Sequence, residues 1–141
     1  MIQEFIDYWR KDKQNFQNWL EGLDKEELEW KLEYSDIVKH IFAEVINPNI
    51  KYENHYYDGF EVDKMTVIDD GDYQGTNIFI IPKDVYQPSV EDYVYTHNYY
   101  GSCSGCDALQ HAQTLDRDKC IESIMTIALH LVSNMKWLSD Q

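Results

Sequence analysis

Met65-Thr66-Val67-Ile68-Asp69-Asp70-Gly71-Asp72-Tyr73-Gln74-Gly75-Thr76-Asn77-Ile78-Phe79-Ile80-Ile81 is the stretch that decides the fold class. Before it, apolar residues recur at helical spacing. Here they become two short β-type runs, Met65 to Ile68 and Thr76 to Ile81, around an acidic tip bearing two glycines. The pattern predicts a β-hairpin. Pro82 and Pro88 bracket the next loop, and Asp92 to Tyr100, dominated by Tyr, Val and Thr, reads as a third strand.

Working outward, Ile2, Phe5, Ile6, Trp9, Phe16, Trp19, Leu20 and Leu23 predict an amphipathic helix over the first twenty residues, ended by Gly22. Asp24 and Glu27 have the form of a capping box opening a second helix, which carries Leu28 to Ile46 with a break at Ser35 and stops at Asn47-Pro48-Asn49. Lys51 to Gly59 reads as loop. Beyond the third strand, Gly101 to Asp107 forms a tight turn into a short helix near Ala108 to Thr114, and Asp118 caps a final helix through Met135. The order ααβββαα predicts one α+β domain over 1–141. Its small three-stranded antiparallel sheet packs with N-terminal and C-terminal helices, residues 1–47 being the helical part and 60–141 the sheet, the cysteine turn and the last helices.

Composition narrows the function classes. Hydrophobic residues make up 43% of the 141, too many for a disordered chain. Lys and Arg total 12 against 26 Asp and Glu, so the formal charge is −14. Such a chain is repelled by phosphate backbones, which argues against direct nucleic-acid binding and leaves it able to occupy a basic surface that normally holds nucleic acid. Three cysteines make a poor disulfide framework and suit a reducing cytosol. The opening residues lack a signal-peptide pattern, and the apolar stretch Ile121 to Leu138 is broken by Glu122, His130, Asn134 and Lys136, so no membrane span is expected.

If the second and third strands pair antiparallel, Asp70 to Gly75 lies beside Gly101 to Asp107. Within that turn, Cys103 and Cys106 have the spacing with which two thiolates reach one zinc ion. A closed structural zinc site needs two more ligands, for which His111 and Cys120 are the first candidates and His97 or Asp107 the substitutes. A redox dithiol and a pair of inert cysteines are the other readings of the same spacing. Gly101-Ser102-Cys103-Ser104-Gly105 also matches a thiol form of the nucleophile elbow, but no Asp-then-His pair follows it and the sheet is too small. No catalytic residue is assigned.

Asp69, Asp70 and Asp72 at the tip, and Asp24, Glu26, Glu27, Glu29 and Glu33 on a helix, are either solvated faces or carboxylates offered to a Lys/Arg-rich partner. Between residues 69 and 107 seven acids face a single base, Lys83, so the negative field is concentrated around the sheet. Tyr56, Tyr57, Tyr93, Tyr95, Tyr99 and Tyr100 fit an interface or strand packing equally well. Trp9, Trp19 and Trp30 are expected in the core, His40 and His130 as buried histidines.

Asp72-Tyr73-Gln74-Gly75 followed by Tyr100-Gly101-Ser102-Cys103-Ser104-Gly105-Cys106-Asp107 resembles a motif pair in small uncharacterised proteins of phages and prophages. In size, acidity and expected metal, the chain is also similar in kind to the metal-containing type II-A anti-CRISPR proteins. That resemblance implies an inhibitor with a structural zinc, acting in the cytoplasm of a bacterial host. Its expected partner is a basic nucleic-acid-binding host protein such as a Cas9-type nuclease.

Overall fold

Helix α1 spans Gln3–Glu21 in a computed structural model that describes residues 1–53 and 55–140. Phe5, Ile6, Trp9, Phe16 and Leu20 gather on one side of it and are all buried, so the predicted apolar stripe is the face that meets the core. The N–H of Gly22 returns to the carbonyls of Asn18 and Trp19 and closes the helix. Asp24 then accepts the Glu27 N–H at 2.8 Å, as a capping residue should. What it opens, however, is a single wide π-helical turn, Glu27–Lys31. The backbone extends at Leu32 and Glu33, and a reciprocal capping box between Glu33 and Asp36 starts α2, Tyr34–Ile41. The break expected at Ser35 therefore falls at Leu32–Glu33.

A second correction concerns Asn47-Pro48-Asn49, which does not end the helical region. A π-helical turn over Phe42–Ile46 leads directly into α3, Asn47–Tyr52. Proline lacks an N–H, and inside a helix its ring crowds the carbonyl four residues back. Widening the preceding turn, with the Asn47 N–H bonded to the Phe42 carbonyl, places Pro48 in the first turn of the next helix, where no donor is missed. The two asparagines then turn to tertiary use. Asn47 exchanges two hydrogen bonds with the backbone of Phe60, at 2.8 and 3.0 Å, and buried Asn49 donates to Asp12 and to the Val45 carbonyl. Gly59 sits against Asn47 at φ 137°, where a Cβ would lie 2.6 Å from that side chain.

The sheet has four antiparallel strands in the order β1-β2-β3-β4: Thr66–Asp69, Gly75–Pro82, Tyr93–Tyr100 and Lys136–Trp137. Three match the expected strands. The fourth pairs Trp137 with Val94 and Lys136 with Tyr95, and two residues carry no period that a sequence could reveal. Helices α4, Ala108–Ala112, and α5, Arg117–Ser133, follow β3, and the cap of α5 is Asp116 rather than Asp118, accepting the Lys119 N–H at 3.1 Å. Among the described residues no helix is long and apolar enough to cross a membrane.

Alternation along the strands separates two faces. Phe79, Ile81, Val94 and Thr96 point to the helices and are buried, and the Thr96 hydroxyl donates to the Leu131 carbonyl of α5 at 2.7 Å. Trp9 joins this core, but Trp30 is exposed, and Trp19 is half-buried and stacked on His40 with ring centroids 3.8 Å apart. His130 is exposed instead of buried. At the β4 end, buried Lys83 holds its ammonium over the rings of Tyr56, Tyr57 and Trp137 at 4.5–4.9 Å, donates to the Tyr56 hydroxyl, and lies 3.8 Å from Asp92.

Candidate functional site

Register brings the two unusual segments together: Gly75 is paired with Tyr100, so the acidic tip and the cysteine turn share one end of the sheet. The tip is closed by its own aspartates. Asp70 accepts the Thr76 N–H at 2.6 Å, and Asp69 accepts the Gly71 N–H at 3.0 Å. Tyr100 reaches across from β3 to donate its hydroxyl to Asp69. That hydroxyl, then the Gly71 N–H, holds the Asp69 carboxyl below its ordinary range, and the same bond pushes Tyr100 up to about 12. Two of the three tip aspartates therefore serve the turn itself.

Gly101 and Asp107 shape the cysteine turn. A Cβ on Gly101 would meet the Cys106 carbonyl oxygen at 2.4 Å and its sulfur at 2.8 Å, so only glycine lets the turn fold this tightly. The N–H groups of Cys106 and Asp107 both return to the Cys103 carbonyl, at 3.0 and 2.9 Å. Asp107 is buried, and its carboxylate accepts the Gly101 N–H, the Gln110 N–H and the Tyr34 hydroxyl at 2.9–3.0 Å. It caps α4 and pins the turn to α2 in one step. Tyr34, whose phenol burial pushes up, had no signal in the sequence beyond its place next to the helix break expected at Ser35.

Of the expected zinc ligands, Cys103 and Cys106 converge: both are exposed, and their sulfurs are 3.0 Å apart. The Cys103 N–H and the Ser102 hydroxyl also point at the Cys106 sulfur, at 3.2 and 3.7 Å. Donation from Cys103, then from Ser102, draws the Cys106 thiol below its ordinary range. His111 is exposed and lines the same shallow concavity as Cys106. Cys120 lies elsewhere, fully buried on α5, and burial pushes its thiol up. His97 belongs to β3, and Asp107 is occupied by three donors. Among the described residues, no three His, Cys, Asp or Glu side chains cluster to hold a metal ion. Of the four expected donors, the turn itself brings together the sulfurs of Cys103 and Cys106.

The other feature of this region is the outer face of the sheet. Register places Thr66 and Ile68 of β1, Thr76, Ile78 and Ile80 of β2, and Tyr93, Tyr95, His97 and Tyr99 of β3 on the side away from Phe79 and Val94. None of these side chains is buried, and the rings of His97 and Tyr99 meet edge to face at 5.9 Å. From Phe60 to Asp107 there are nine acids and two bases, and the bases are accounted for: Lys64 pairs with Glu61 at 2.9 Å and Lys83 is buried. An apolar and aromatic sheet face thus stands in a negative field.

Comparison with protein-family models, curated proteins and solved structures finds no match.

Proposed function

We propose that this chain is an acidic protein-binding inhibitor that docks the outer face of its sheet on a basic, nucleic-acid-binding protein and so keeps nucleic acid away. The observation that carries this reading is the uncovered face of Ile68, Ile78, Ile80, Tyr93, Tyr95 and Tyr99 within the acidic segment Phe60 to Asp107. Tyrosine and isoleucine supply contact area that gains free energy on leaving water. The carboxylates around them meet the Lys and Arg that would otherwise bind phosphate, steering encounter and selecting the partner. The resemblance to phage and prophage proteins makes the setting a bacterial cytoplasm and a Cas9-type nuclease the leading partner, because its nucleic-acid channels are positively charged. The docking surface itself is formed by the sheet, whose inner side closes on the apolar core.

A lysate experiment with a competitor tests it. Immobilised protein is expected to retain nucleic-acid-binding proteins, to release them as salt rises, and to release them to added duplex DNA. Retention indifferent to both salt and DNA would contradict the proposal.

A further inference from the structure

The cysteine turn is not used by the docking face, and its geometry supports an activity of its own. We infer that Cys103 and Cys106 are a redox-active dithiol that exchanges with small disulfides of the glutathione class. The two sulfurs lie 3.0 Å apart, so closure to the roughly 2.05 Å of a disulfide bond needs only a small movement of the turn. Both are exposed, so an external disulfide can reach either one.

The surroundings fix this arrangement rather than leaving it to chance. Gly101 packs under Cys106, the Cys103 carbonyl takes the N–H groups of Cys106 and Asp107, and buried Asp107 anchors the turn at its far end. A pair held in contact by its backbone closes to a disulfide with little loss of chain freedom, which favours the intramolecular product over two separate adducts. Cys120 is the internal contrast, a thiol sealed in the core and out of reach of any disulfide.

The Cys106 sulfur, facing the Cys103 N–H and the Ser102 hydroxyl, loses its proton to water and makes the first attack as the thiolate. It bonds to one sulfur of the small disulfide, whose own S–S bond breaks and releases one thiolate. The Cys103 sulfur, losing its proton to water, then attacks the Cys106 sulfur of the mixed disulfide and expels the second thiolate. Both thiolates take up protons. The chain loses two protons and two electrons, and one small disulfide becomes two thiols.

The test is equilibration of the full chain in buffers of graded reduced-to-oxidised glutathione, followed by acid trapping and intact-mass analysis. The expected product is a loss of two hydrogens on the peptide joining Cys103 and Cys106, reversible on restoring reduced glutathione, with Cys120 unmodified. Cys103→Ser should instead accumulate a stable glutathione adduct on Cys106, because the second attack is gone. Persistence of both thiols at every ratio would overturn the inference, as would adducts on Cys103 and Cys106 without closure. So would one equivalent of tightly held zinc that protects both sulfurs. Circular dichroism of each variant separates these outcomes from misfolding.

Discussion

The Tyr34 hydroxyl, in the first turn of α2, donates at 3.0 Å to the carboxylate of Asp107, 73 residues later in the chain. The bond joins the helical half of the molecule to the cysteine turn, and it is buried. Asp107 has three donors and Tyr34 a second bond of its own, accepting the Leu109 N–H at 3.1 Å. Losing either partner leaves buried polar groups unmatched. Tyr34→Phe should cost about 1–2 kcal/mol and Asp107→Asn about 1.5–3 kcal/mol in urea unfolding. The double variant should lose less than the sum, since the two residues share one network. Simple additivity would mean that they act separately.

Gly101→Ala and Gly105→Ala form a matched pair. An added Cβ meets the Cys106 backbone at 2.4 Å in the first case and only the Cys103 sulfur, at 3.9 Å, in the second. The first should destabilise by about 1–3 kcal/mol and change the rate at which Cys106 is alkylated, while the second should be close to neutral. Thermal unfolding with thiol labelling reads both effects, and equal behaviour would show that the turn is looser than described.

The caged lysine invites a third substitution. Lys83→Met keeps the length and apolar stem but removes the cation from three rings and from Asp92. The expected cost is about 1–3 kcal/mol, from the lost cation–π contacts and the carboxylate left behind. Trp137 fluorescence should shift in the folded state. An unchanged midpoint would make the cage incidental.

Acid titration probes the contact between Tyr8 and Glu53. The Tyr8 hydroxyl at 2.7 Å, and then His55, hold the Glu53 carboxyl below its ordinary value. A carboxylate depressed on folding adds stability above its unfolded value of about 4.3 and loses it as pH falls through the lower folded value. Tyr8→Phe should therefore raise the Glu53 midpoint, followed by carbon-detected NMR, and reduce the stability lost between neutral and acid pH. A midpoint indifferent to the substitution would remove Tyr8 as the cause.

The hairpin at Met65 to Ile81 was legible because two short β-prone runs flank a tip of Asp and Gly, and pairing of β2 with β3 then put that tip beside the cysteine turn, as strand geometry requires. What stayed hidden depends on partners distant in sequence. Pro48 reads locally as a stop, and only the widened turn before it allows the helix to resume. Trp30 is apolar by type yet projects into solvent, because it stands two residues from both Leu28 and Leu32 and so on the side of the turn opposite the one they bury. Cys120 sits fourteen positions after Cys106 and looked available to it, but the apolar face of α5 takes it into the core. The outer sheet face was half legible: its tyrosines stood out, whereas their common side follows from register alone.

The sharpest measurement is the affinity of a DNA-displaceable partner, recovered by the immobilised protein, for the wild type and for a double variant of the sheet face, Ile78→Ala with Tyr95→Ala. Both side chains are partly exposed on the outer side, so the variant should keep its fold. Docking through this face predicts a loss of at least about tenfold in calorimetry, together with a salt dependence that survives because the carboxylates remain. Equal affinity for the two proteins would place the interface elsewhere and contradict the account.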